Sequence, residues 1–128
     1  MEIALFEPRI PQNTGSIART CAAFNINLNL IEPLGFKLED KYLKRAGLDY
    51  WHLVKMYNYK SFEELKKSKS SQRIIAFSKK NGKLLRDFNF KSDDILLFGR
   101  EDIGLPQKII EDCDVLISIY MPNRSTKE

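Results

Sequence analysis

Nine residues, Phe98-Gly-Arg-Glu-Asp-Ile-Gly-Leu-Pro106, follow directly on the apolar run Ile95-Leu96-Leu97. Two glycines, a proline and three charges exceed what a plain surface turn needs. A segment of this kind can wrap its backbone about a ligand. Gly99 is expected to let the chain leave the preceding strand at a φ that other residues resist, and Gly104 to do the same ahead of the next helix. The amides and carbonyls freed there suit the hydrogen-bonding edge of a planar base. Ser78-Lys-Lys-Asn-Gly82 and Tyr120-Met-Pro122 likewise stand at the ends of apolar runs.

Several chemistries are excluded. No G-x-G-x-x-G follows the first apolar run, which argues against a dinucleotide-binding turn; a G-x-x-x-x-G-K-[ST] phosphate loop and a G-x-S-x-G nucleophile elbow are missing as well. His52 is the one histidine, and Cys21 and Cys113 lie far apart without a C-x-x-C, so neither a zinc site nor any other metal is expected. The cysteines read as reduced core residues, and His52 as structural.

The elements that must position the loops alternate in type. Ile3–Phe6, Leu28–Ile31, Leu53–Tyr57, Arg73–Phe77, Ile95–Phe98 and Val115–Ile119 read as strands. Asn13 reads as the N-cap of a helix over Thr14–Phe24 that carries Ile17, Cys21 and Phe24 on one face. Leu38–Ala46 reads as a short basic helix. Ser61 and Glu64 form a capping box opening a helix to about Ser68, and Pro106 suits the first turn of a helix to about Asp112. The fold class is α/β: a mostly parallel six-stranded sheet flanked by helices. In such sheets ligands bind beyond the carboxyl ends of the strands, so the three loops share one crevice if their strands are neighbours.

At 128 residues, 43% of them apolar and 30% charged, a single domain over 1–128 is expected. No apolar stretch approaches the roughly 18 residues of a membrane span, and the start Met1-Glu-Ile-Ala lacks the basic opening of a signal peptide, which suggests a cytoplasmic protein. The net charge is +4, yet Lys60–Lys91 holds ten Lys/Arg against three Asp/Glu and so carries +7, leaving −3 elsewhere. That concentration is either the footprint of a polyanion binder or a solvated lysine-rich surface.

Four segments together carry a resemblance: Glu7-Pro-Arg-Ile-Pro-Gln-Asn-Thr-Gly-Ser-Ile-Ala-Arg-Thr-Cys21, Ile31-Glu-Pro-Leu-Gly-Phe36, Arg45-Ala-Gly-Leu-Asp-Tyr-Trp51 and Phe98–Pro106. Over nearly its whole length the chain resembles the SPOUT RNA 2′-O-methyltransferases, closest to the TrmL/YibK type that acts on cytidine or uridine of tRNA. The resemblance implies a trefoil-knotted α/β fold, a homodimer, S-adenosylmethionine as methyl donor and S-adenosylhomocysteine as product. It implies the wobble nucleotide, in the tRNA anticodon stem-loop, as substrate.

On that resemblance Asn13, Arg19 and Glu101 are the catalytic candidates, and Phe77, Gly99, Ile119, Met121 and Ser125 the cofactor-binding ones. Asn13 could equally serve only as a helix cap, and Glu101 only as a structural cap. An arginine keeps its proton past about pH 12, so Arg19 suits positioning better than proton abstraction. Tyr50 and Trp51 read as core or dimer contacts. Lys66, Lys67, Lys69, Lys79, Lys80, Lys83 and Arg86 are candidate phosphate contacts as a group.

The resemblance breaks down at the end. The family continues past the last strand with S-[LM]-N-[LV]-S and a long helix that closes the donor site, threads the knot and builds much of the dimer interface, whereas this chain reads Tyr120-Met-Pro-Asn-Arg-Ser-Thr-Lys-Glu128. Either Arg124-Ser125 begins that motif or the motif would lie beyond Glu128. The expectation is a truncated copy with an incomplete knot and weak donor binding. Its alternative is a catalytically inactive RNA- or partner-binding module that keeps the fold, and a more distant one is a flavodoxin-like nucleotide-binding domain.

Overall fold

The computed structural model describes residues 1–39, 41, 43, 45, 52–79 and 82–119. Seven strands form one sheet: β1 (Glu2–Phe6), β2 (Asn27–Ile31), β3 (Met56–Tyr59), β4 (Ile74–Ser78), β5 (Lys83–Leu84), β6 (Ile95–Phe98) and β7 (Val115–Ser118), in spatial order β3-β2-β1-β6-β4-β7-β5. Every pairing is parallel. The central strands read Ile-Ala-Leu-Phe, Ile-Ile-Ala-Phe and Ile-Leu-Leu-Phe because a parallel sheet must be covered on both faces.

Alternate residues of each strand feed two cores. On one face Ala4, Phe6, Ile31, Ile74, Ile95 and Leu97 meet Phe62 and Leu65 of α2 (Phe62–Ser68) and Ile109 of α3 (Gln107–Glu111). On the other, Leu5, Leu28 and Leu30 meet Ala18 and Cys21 of α1 (Pro11–Ala23).

The sheet departs from the sequence expectation at its edges. A seventh strand, β5, is present; two residues are too few to show a period, and Lys83 and Leu84 are strand only because they pair with Ile117 and Ser118. β3 lies at Met56–Tyr59 rather than Leu53–Tyr57, with Leu53 57% exposed, because pairing with Leu28 to Ile31 sets its register. β4 and β7 lie within one residue of their expected bounds. Of the expected helix over Leu38–Ala46, Leu38 and Glu39 form a turn instead, while Lys41, Leu43 and Arg45 are helical and Leu43 is fully buried.

The helix starts differ in an instructive way. For α2 the cap is the expected one: Ser61 Oγ accepts from the Glu64 N–H at 3.1 Å. For α3, Pro106 is the residue just before the helix rather than in its first turn. For α1 the helix begins at Pro11, with Ile10 as N-cap and no side-chain cap bond, so Asn13 sits inside the first turn. Pro11 has no N–H to lose and its fixed φ suits that first position. The acceptor for the chain entering the helix comes from elsewhere: the Glu101 carboxylate takes the Arg9 N–H at 2.8 Å and the Ile10 N–H at 3.0 Å. A cap supplied across 91 residues leaves no local signature.

Candidate active site

β6, β4 and β7 are consecutive neighbours in the sheet and run parallel, so their carboxyl ends lie side by side. Phe77, Gly99 and Ile119 stand at those three ends. The Phe77 ring lies against Phe98 at 4.8 Å between centroids and 15° between planes, and near-parallel to Phe90 at 6.4 Å. Ile119 is 39% exposed. Met121 and Ser125 lie outside the described residues, as do Tyr50, Trp51 and Lys80.

The two glycines of the loop serve two purposes. Gly104 has φ +73°, the left-handed region in which side chains are strained. The expectation that Gly99 also escapes by its φ is corrected: only Gly104 among the described glycines has positive φ. What Gly99 supplies is space. A Cβ there would lie 2.3 Å from the Gly104 carbonyl carbon and 2.4 Å from the Leu105 nitrogen. The loop folds back onto it because Arg100 and Gly104 exchange backbone hydrogen bonds of 3.2 and 2.8 Å. Arg100 donates to Asp102 at 3.0 and 2.7 Å and lies 3.9 Å from Glu7. The Asp102 hydrogen bond raises the Arg100 pKa and the arginine lowers that of Asp102.

Beside this loop, at the carboxyl ends of β1 and β6, is a cleft of about 360 Å³. Its wall holds Asn13 and Thr14 of α1 with Gly99 and Glu101 of the loop, and its floor Leu5, Ile17 and Phe98. The structure thus brings Asn13 together with Gly99 and Glu101, which lie in one loop far from it in sequence. Glu101 is exposed and holds Arg9 and Ile10 by their amides. The same segment is gripped from behind: Arg9 donates to the carbonyls of Glu7 (2.9 Å) and Pro33, Gly35 N–H reaches the Pro8 carbonyl at 2.8 Å, and a Cβ on Gly35 would lie 2.7 Å from Arg9 Cα. Sequence reasoning missed Arg9. The signal for it was the pair Pro8 and Pro11, which stiffens a stretch that other loops must hold.

Arg19 does not line the cleft. It is exposed on α1, and at roughly 100° per residue it stands about 120° around the helix from Asn13. Next to the cleft, an apolar groove of about 400 Å³ runs over Ile3, Cys21 and Ile26 and shares Ile17 and Phe98 with it.

The basic stretch divides. Lys66 Nζ donates to the Asp112 carbonyl at 2.8 Å, Lys69 pairs with Glu2 at 3.3 Å and Arg73 with Asp94 at 2.6 Å, the last two at the amino ends of the strands. Lys79, Lys83 and Arg86 are exposed on the carboxyl side of the sheet. His52 is exposed in a turn ahead of β3. Burial pushes the thiols up, Cys21 to about 11 and Cys113 to about 12, so neither is a nucleophile at neutral pH. Among the described residues no three His, Cys, Asp or Glu side chains gather as a metal site, and no helix is long and apolar enough to cross a membrane.

The chain is similar to proteins of one kind. A tRNA (cytidine(34)-2′-O)-methyltransferase of Saccharophagus degradans is 44% identical over 109 residues, covering 85% of this chain and 71% of that protein. One of Beijerinckia indica is 37% identical over 127 residues, covering 96% and 79%. A solved structure described as giving insights into the 2-OH methylation of C/U34 on tRNA superposes with a TM-score of 0.90 at 41% identity, over 94% of this chain and 80% of that one. The AdoMet-bound methyltransferase AviRb of Streptomyces viridochromogenes, at 22% identity and a TM-score of 0.85, has the same fold. The description of the SpoU rRNA Methylase family matches residues 1–126, and the chain belongs to that family.

Proposed function

We propose that this chain transfers a methyl group from S-adenosylmethionine to the ribose 2′-hydroxyl of the wobble nucleotide, cytidine or uridine, of tRNA. The observation that carries the reading is the convergence of Asn13, Gly99 and Glu101 on one cleft at the carboxyl ends of β1 and β6, with the ends of β4 and β7 next in the sheet. The names of the relatives support it.

The strand ends fit the donor. Phe77 and Ile119 give apolar walls, and the Gly99 loop presents backbone in place of side chain, which suits a flat adenine held by its edge. Phe77, Gly99 and Ile119 would hold it, with Met121 and Ser125 joining them. When bound, the donor supplies a methyl group on a positively charged sulfur.

The rest falls to the chain itself. Orienting the acceptor hydroxyl in line with that sulfur can supply much of the rate. Asn13 offers both a donor and an acceptor to a sugar. Glu101 holds the Arg9–Ile10 segment so that Asn13 is fixed in place, and it therefore acts as a positioning residue. Arg19, always charged and outside the cleft, suits a phosphate of the RNA. Lys79, Lys83 and Arg86 add sequence-independent phosphate contacts. The anticodon stem-loop is the part of tRNA that presents the wobble ribose. A homodimer would cover the exposed side chains of Phe24 (71%) and Ile103 (68%).

The test has two arms. Calorimetric titration with S-adenosylhomocysteine reads the donor site, and transfer of labelled methyl to a tRNA transcript reads the reaction. Transfer to the transcript, and none to one carrying 2′-deoxyribose at position 34, is the expected result. Binding of tRNA without binding of donor would replace the enzyme with an RNA-binding module.

A further inference from the structure

Thr14 carries a hydroxyl that the fold buries and leaves alone. The residue is 0% exposed and its Oγ1 has no hydrogen-bond partner among the described residues. Buried hydroxyls are nearly always paired, so each exception needs a reason. A threonine inside a helix ordinarily returns its hydroxyl to the carbonyl four residues earlier. Thr20, on the same helix, does so, donating to the Ser16 carbonyl at 3.2 Å. Thr14 makes only the backbone bond to that position, N–H to Ile10 carbonyl at 3.3 Å. The other orphaned atom among the described residues, Asn29 Oδ1, lines neither the cleft nor its groove, whereas Thr14 forms part of the cleft wall.

The chemistry of the cleft narrows what completes that hydroxyl. Among the described residues no lysine or arginine lines it, and the Glu101 carboxylate on its wall disfavours a phosphate. Asn13 and Thr14 make a polar wall, while Leu5, Ile17 and Phe98 make an apolar floor. A neutral ring with one apolar face and a hydroxyl-bearing edge matches this arrangement. We propose that Thr14 Oγ1 hydrogen-bonds the acceptor ribose of the RNA and thereby helps to select and hold it. The proposal rests on the methyltransferase reading and names a contact residue for it.

Thr14→Val keeps the shape and removes the hydroxyl. KM for the tRNA transcript should rise roughly three- to tenfold, the loss of one neutral hydrogen bond. KM for S-adenosylmethionine should stay unchanged, and the melting temperature should hold or increase, because an orphaned polar atom is gone from the unliganded protein. Thr14→Ser restores a hydroxyl and should return KM for tRNA to within about twofold of wild type, since the same hydrogen bond is available. An unchanged KM for tRNA in active Thr14→Val, or a change confined to the donor, overturns the assignment. A wild-type chain that transfers no methyl group overturns the function and the assignment together; an active wild type matched by Thr14→Val overturns the assignment alone.

Discussion

The two ends of the sheet both carry polar side chains, and they treat them oppositely. At the amino ends of the strands the groups largely pair with one another, the buried Asn29 Oδ1 being the exception. Asp94, fully buried, accepts from Arg73 at 2.9 and 2.6 Å and from the Lys91 N–H at 2.8 Å. Glu2 accepts from Asn29 at 3.0 Å and Gln72 at 2.8 Å and is paired with Lys69. Asp114 takes the Ile74 N–H at 2.8 Å. At the carboxyl ends Glu101 takes backbone N–H groups, the Thr14 hydroxyl has no partner among the described residues, and Asn13 faces a cleft. Polar groups that satisfy each other stabilise the fold. Polar groups aimed at an opening are placed for a ligand. The charged stretch Lys60–Lys91 contributes to both ends, which explains why charge counting alone left its role open.

Breaking the amino end should damage stability and leave chemistry alone. Asp94→Ala strands the Arg73 guanidinium and the Lys91 N–H, and the loss should be about 3 kcal/mol in urea denaturation, the lower range for removing one partner of a buried pair. The kcat/KM of the folded enzyme should be unchanged. If activity falls more than stability, the division of labour between the two ends is wrong.

Breaking the carboxyl end should damage chemistry more than stability. Gly99→Ala forces a Cβ into the Gly104 backbone, and methyl transfer should drop about 100-fold, the effect of moving reacting groups by an ångström or so. Stability should fall by about 1–3 kcal/mol, as overpacking does. A smaller effect is expected from Glu101→Gln, which keeps the shape but turns one acceptor into a donor facing the Arg9 and Ile10 amides. Activity should fall roughly tenfold and the melting temperature by a few degrees, since hydrogen bonds to charged groups contribute at most about 1.5–3 kcal/mol and this carboxylate is exposed.

The mildest test is acid. Hydrogen bonds from Arg73 hold the Asp94 carboxyl below the ordinary range. For Glu2, burial works upward, but the bonds from Asn29 and Gln72 and the Lys69 charge bring it below its usual value as well. The unfolded chain therefore binds more protons than the native one. This contribution is complete above the ordinary carboxylate values and is lost as the pH falls through the lowered ones, below about pH 4. Stability measured from pH 6 to pH 2 should drop over that interval, with a shallower slope in Asp94→Asn.

Much of this was written in local pattern. The alternation of apolar runs with helical stretches, the Ser61 cap and the strand end at Phe98 all follow from forces that act within a few residues. So does Gly104, whose left-handed backbone is a property of that one position. The motif residues Asn13 and Glu101 could be named, but not what they do. Asn13 looked like a cap because it precedes an apolar-periodic stretch. Ile10 occupies the cap position instead, and a carboxylate 91 residues away satisfies it. Gly99, which local reasoning assigned to conformation, is required for the close approach of its own loop. The strand β5 exists only through β7, and the cleft exists only because β1 and β6 are neighbours and bring α1 beside the Gly99 loop. Sequence by itself determined which segments are strand, helix or loop and which loops are chemically unusual, because propensity, period and turn chemistry are local. Tertiary structure alone decided which groups meet, and so which polar atoms are satisfied at one end of the sheet and left for a ligand at the other, because burial and hydrogen bonding between distant segments depend on the whole chain.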